Sequence, residues 1–227
     1  MDAPLSEAPA LSPQPIPWYE VWETVLLHPS RASFFEILAD PTAGSARAYA
    51  WIAITAAISA VIQSLITPEL SEYSPWVLVC SVVAAPVAAV LGMVIGAGIT
   101  HFIAGLLGGS GTFDRLVYCL AAIYAPSALI SLFFTGMVAI AGVTPGSADT
   151  LALAAGPALV VLFVVALLSL AFGIYAIVLQ VNAIAAAENI SGGRALVVFL
   201  LPSLAGFGLG IACILLGALP ALMAQGN

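Results

Sequence analysis

His101 is the one titratable side chain, tyrosines and cysteines aside, that lies well inside an apolar run of this 227-residue sequence. An imidazole there is a candidate proton carrier or metal ligand, because ionisable groups in lipid are costly and are kept where they serve function. No intramembrane carboxylate and no second His stands near it in sequence, so the complement for a metal is missing. An interfacial histidine, or one hydrogen-bonded between helices, is the favoured reading. Shortly after it, Gly108-Gly109-Ser110-Gly111 reads G-x-S-G, the nucleophile pattern of rhomboid-type intramembrane serine proteases. Those enzymes place the Ser at a buried helix start and a His on a later helix, and no His follows residue 101. The favoured reading is a turn in which Ser110 or Thr112 caps the next helix, with Asp114 in its first turn.

The remaining reactive groups are sparse. Cys80, Cys119 and Cys213 each sit in an apolar run without a C-x-x-C partner and read as core side chains. H-E-x-x-H, paired aspartates and a P-loop are absent from the sequence. Asn189-Ile190-Ser191 matches a glycosylation acceptor, but the orientation derived below puts it in the cytoplasm, where that modification does not occur. No catalytic, cofactor or metal site is assigned, and the chain is read as non-enzymatic.

Neutral polar residues within the apolar runs are Gln63, Tyr118, Tyr124, Tyr175, Gln180 and Asn182. Such side chains bridge helices at about 0.6–2 kcal/mol each, so packing is their default role. Gln180, Asn182, Tyr175 and Gln63 together are also candidates for lining a polar cavity, although Gln180 and Asn182 are two apart and point away from each other. Gly92, Gly96 and Thr100 stack at four-residue spacing, as do Gly206 and Gly210, giving small faces for helix packing or self-association.

What must position these groups follows from composition. The chain is 63% hydrophobic and 7% charged, against roughly 45–50% and about 25% in soluble domains. It cannot make a polar shell, and its solvent is a lipid bilayer. A net charge of −7 with no lysine argues against nucleic-acid partners and against a polybasic lipid anchor. The first 17 residues lack the basic start and apolar core of a secretory signal.

Residues 1–17, with Pro4, Pro9, Pro13, Pro15 and Pro17, form a disordered tail. Residues 18–45 form an amphipathic juxtamembrane segment. Trp18, Trp22, Val25 and Leu26 repeat at helical spacing, and after His28-Pro29 the pattern resumes with Phe34, Phe35 and Leu38. One or two short helices at the membrane surface fit this pattern, as does packing on a partner or on the protein's own loops; Pro29 suits the start of the second helix. Residues 46–227 form the membrane domain.

Five apolar runs, at about 47–67, 76–107, 115–143, 151–187 and 195–223, each suffice to cross a core of about 30 Å, which takes about 20 residues. They lack the alternation a β-barrel needs, so the fold class is an all-α bundle of five transmembrane helices. The second and fourth runs would reach roughly 45 and 55 Å at 1.5 Å per residue. Tilt, extension or kinks at Pro86, Pro126, Pro157 and Pro202 absorb the surplus. Arg31, Arg47, Arg115 and Arg194 all fall on one side of five spans, and Glu69, Glu72 and Asp149 on the other. The positive-inside rule therefore places the N-terminus in the cytoplasm and the C-terminus outside.

Three stretches, PSRASFFEILADP at 29–41, TFDRLVYCLAAIYAPS at 112–127 and SLAFGIYAIVLQVNAIAAAENISGGRALVVFLLPSL at 169–204, resemble the Yip family of five-span membrane proteins, in its bacterial and archaeal branch. The resemblance covers most of residues 20–220. The family's acidic Gly-Pro element is reduced here to Asp40-Pro41, and its Gly-Tyr element becomes Ile123-Tyr124, with Pro126 following. Asp40, Pro41, Tyr124, Pro126, Gln180, Asn182 and Arg194 are the family-motif or packing candidates. In eukaryotes the family is associated with vesicle traffic and with binding prenylated Rab-type GTPases. The lack of intramembrane charge, the small-residue faces and this resemblance together point to a non-enzymatic protein of the cell's plasma or inner membrane that organises membrane or holds partners through helix packing and the amphipathic N-terminal segment. The alternative is a small permease or channel subunit for an uncharged or amphipathic solute, and a third reading is a hydrolase centred on Ser110 and His101.

Overall fold

A computed structural model describes residues 14–66, 75–140, 157–206 and 208. The described residues are helical and loop, without strands. In chain order the helices are α1 (Trp18–Leu27), α2 (Arg31–Leu38), α3 (Ser45–Ile66), α4 (Pro75–Leu106), α5 (Phe113–Ile140), α6 (Pro157–Ala187) and α7 (Gly192–Gly206). Among the described residues, four segments are long and apolar enough to cross a membrane: Ser45–Ile66, Val79–Leu106, Phe113–Ile140 and Leu159–Ala187. The fifth apolar run opens as the shorter helix α7, and its remainder, like Gly210 and Cys213, lies outside the described residues. So do most of the proline-rich tail and Glu69, Glu72 and Asp149.

The long helices are apolar on every face, as helices solvated by hydrocarbon are. Pro86 and Pro126 lie inside α4 and α5, which stay helical through them. Pro157 is the first residue of α6, where its missing N–H costs nothing; the kink expected there is not needed. α5 is the central element. It packs against α3, α4 and α6, and its turns from Leu116 to Ile123 are buried.

The core is concentrated at one end of the bundle. It takes Ala48, Trp51 and Ile52 from the start of α3 and Ala97 and Ala104 from the end of α4. The end of α6 adds Ala183 to Ala187, and the start of α7 adds Ala195 and Val198. At the far end Val83, Phe133, Ile140 and Phe163 are exposed, the surface that lipid covers. Cys119 is a core side chain, but Cys80 is exposed, so its reading as a core residue is corrected. An apolar run marks membrane depth and not which face of the helix is packed.

The break expected at His28-Pro29 separates α1 from α2. Ser30, not Pro29, starts the second helix, its hydroxyl accepting from the Ser33 N–H at 3.2 Å. Pro29 stands outside the helix, and its carbonyl accepts from Asn182 Nδ2. The pair packs on the protein's own helices, α1 on α5 and α2 on α6, with Val21, Val25, Phe34 and Ile37 buried in the common core. The contacts are with the protein's own helices and not with its loops. Trp18, assigned to the apolar face, is 47% exposed, whereas Val21 and Val25 are fully buried.

Candidate functional site

Three polar constellations gather at the packed end. The first joins the juxtamembrane segment to α3. Asp40 is buried; its Oδ1 accepts from the Thr42 N–H and hydroxyl at 2.8 Å each, and its Oδ2 from Arg47 Nη1 at 2.6 Å. Burial alone would raise the carboxyl's pKa, but the Thr42 hydrogen bonds and the Arg47 guanidinium outweigh it and hold it below 3.8. Arg47 also donates to the Ile16 carbonyl and lies 5.0 Å from the centre of the Trp51 ring. Trp18, Trp22, Trp51 and Tyr118 then follow ring against ring across α1, α3 and α5, the first two contacts T-shaped and the last tilted. Exposed Pro41 occupies the turn between Asp40 and Thr42 and contributes no side-chain bond.

The second constellation is built by two helix ends. α4 closes with Gly108 at φ +86°, the Gly108 N–H reaching Gly105 O at 3.1 Å and the Gly109 N–H reaching Ala104 O at 2.8 Å. This pattern satisfies the carbonyls a helix leaves open, and φ > 0 favours glycine there. α6 closes on Asn189, at φ 55°. The Ser110 N–H donates to Glu188 O at 2.9 Å, tying the turns together. Gly111 lies so close that a Cβ would come within 2.0 Å of Ala187 O. G-x-S-G is therefore a close-approach device, and Thr112, not Ser110, caps α5 by accepting from the Arg115 N–H at 3.4 Å.

Under this turn lies Glu188, fully buried. Its Oε1 is 2.7 Å from His101 Nδ1, and its Oε2 is buried without a hydrogen-bond partner. The carboxyl is fully buried, while the imidazole side chain that meets it is 36% exposed. His101 thus has the carboxylate complement that its neighbourhood in sequence lacks, supplied from 87 positions away. No hydrogen bond joins Ser110 to His101, so a Ser110–His101 dyad is not assembled.

The third is a cavity of about 540 Å³ among α3, α4, α5, α6 and α7. Gln180 and Tyr124 line it together, the Tyr124 hydroxyl donating to Gln180 Oε1 at 2.9 Å. Gln63, Tyr175 and Asn182 do not line it. Tyr175 donates instead to the Leu26 carbonyl at 2.5 Å, and Asn182 Nδ2 to the Pro29 carbonyl at 3.0 Å. The two therefore hold the juxtamembrane helices rather than joining spans to each other. Gly92 and Gly96 also line the cavity, and among the described residues a Cβ at either would meet nothing within 4 Å.

Of the family-motif candidates, Tyr124 and Gln180 come together and Asn182 docks α2 through Pro29. Pro126 is buried inside α5, and Arg194 reaches over the α4 turn to donate to Leu107 O at 3.2 Å. Glu188 was missed because ENISGGR reads as a polar connection. Its signal was the four-residue spacing Gln180, Ile184, Glu188, which continues one face of α6 to the residue just past its end.

Comparison with protein families matches residues 24–214 to the Yip1 domain. Searches of curated proteins and of solved structures gave no match. The matched region begins within α1 and takes in the Asp40 knot, the joined helix ends and the cavity, and on that coverage the chain belongs to the Yip family.

Proposed function

We propose that the chain is a non-enzymatic, five-span protein of a bacterial-type inner membrane that organises membrane or holds partner proteins, with a cytoplasmic N-terminus and an outer C-terminus. The observation that carries this reading is the docking of α1 and α2 on the bundle. Tyr175, Asn182 and four buried apolar residues fix a pair of helices whose outward side keeps Trp18, Tyr19, Leu27 and Phe35 exposed. Aromatic side chains held rigidly at a surface suit protein or membrane contact. Orientation draws support from the arginines, since α3, α5 and α7 begin, and α4 and α6 end, at the side that carries Arg47, Arg115 and Arg194. The non-enzymatic reading rests on the scarcity of ionisable groups within the apolar runs.

The test is a photo-crosslinking residue at Tyr19, which is 59% exposed, used in native membranes. The expected result is recurrent capture of one or a few membrane-associated proteins or of a second copy, abolished by Phe34→Ala. No capture, together with solute flux by purified protein in liposomes, overturns the reading in favour of a small permease for an uncharged or amphipathic solute. The cavity favours that second reading, and loss of flux in Gln180→Leu would establish it.

A further inference from the structure

We propose that the cavity among α3 to α7 is a binding site for a single-chain, uncharged membrane lipid, held by its apolar chain and by one ester or carbonyl oxygen that accepts from the Gln180 amide. Its volume, about 540 Å³, falls within the range of about 300–1,000 Å³ typical of small-molecule sites. Met93, Leu120, Ile184 and Phe199 supply apolar walls, and Gly92 and Gly96 keep one wall recessed. Apolar space of this kind is poor water space.

The polar groups in the wall are nearly all spent. Thr55, Thr100 and Ser203 donate to the carbonyls of Trp51, Gly96 and Phe199 in their own helices, at 2.9, 2.8 and 2.7 Å. Tyr124 donates to Gln180 Oε1, which fixes the amide and leaves its NH2 without a partner among the described residues. The site therefore offers donors and asks for an acceptor. No charged side chain lines it, so a charged head would enter without compensation. Gln180 stands about 10 Å, at 1.5 Å per residue, before the end of α6 at Ala187, below the level at which a charged head would meet water.

Access points to the same occupant. Tyr124 is 39% exposed and Gly92 and Gly96 are exposed, so the cavity opens on the flank of membrane-spanning helices, where the surrounding solvent is lipid. This inference does not depend on the scaffold reading, because binding and flux are separate readouts.

The test uses full-length protein in detergent and a monoacylglycerol carrying a photoreactive diazirine in its chain, beside a fatty acid and a lysophosphatidylcholine with the same chain. The monoacylglycerol is expected to label α4 and α5 near Met93 and Leu120, and to label more strongly than either charged-head probe. Gly96→Leu and, separately, Gly92→Leu should fill the space and cut labelling at least tenfold without lowering the melting temperature. Gln180→Leu should weaken binding about fivefold, the loss of one neutral hydrogen bond. Labelling that persists in both glycine variants, equal labelling by the fatty acid, or label confined to the exposed far-end positions overturns the proposal. So does cross-linking of the wild-type cavity wall to the chain's own residues beyond 208.

Discussion

Gly111 and Gly96 differ only in what surrounds them. A Cβ at Gly111 would come within 2.0 Å of Ala187 O, a backbone atom that cannot swing aside, while one at Gly96 meets nothing within 4 Å. Gly111→Ala is expected to cost at least about 1–3 kcal/mol by overpacking, and Gly96→Ala to be neutral or to stabilise by up to about 1 kcal/mol from helix propensity. Thermal unfolding in detergent micelles separates the two. Glu188 and His101 make a second residue-scale case. Removing one partner of a buried pair costs about 3–5 kcal/mol, and His101→Ala should fall toward the lower end because the ring is half exposed. Adding Glu188→Leu should recover part of that loss, since it removes the stranded carboxylate. A double variant that is less stable than His101→Ala would contradict the pairing. For Asp40, a folded pKa held below 3.8 means that its contribution is fully present above the unfolded value, about 3.9, and is lost as pH falls through the lower folded value. Asp40→Asn should therefore be less stable than wild type at neutral pH and should lose part of the destabilisation that wild type shows below about pH 4. The check is a set of melting curves between pH 3 and pH 7.

At the scale of elements, the docked pair α1–α2 depends on Phe34 in the core and on two hydrogen bonds from α6. Phe34→Ala should cost about 3–5 kcal/mol. It should also raise hydrogen exchange across residues 18–40 while the protection of α5 persists. If α5 loses protection equally, the pair is part of the bundle's cooperative core and not a docked element. Much of this element was legible: the helical spacing of the apolar residues and the break at His28-Pro29 mark two short helices. Their destination was not, because an apolar stripe fits a lipid surface and a protein groove equally well. What decides it is Tyr175 and Asn182, whose hydroxyl and amide meet carbonyls 149 and 153 positions away. The same limit applies to Gly92 and Gly96, whose spacing says that something can approach closely but not whether a helix or open space lies opposite.

For the whole molecule, hydropathy located the four long helices, because the need to satisfy backbone groups in lipid leaves little choice of structure. Pairings between helices were beyond reach, Glu188 with His101 above all, since each residue read alone belongs to a loop or to an interface. The central claim is the through-membrane arrangement that gives the docked helices a cytoplasmic setting. It is tested most directly in a variant with Cys80, Cys119 and Cys213 replaced by alanine, carrying either Glu23→Cys or Asn227→Cys, and treated with a membrane-impermeant maleimide. Five spans predict that Asn227→Cys is labelled in intact cells and that Glu23→Cys is labelled only when the inner face is opened. Labelling of both from the same face, or of Glu23→Cys from outside, would contradict the account.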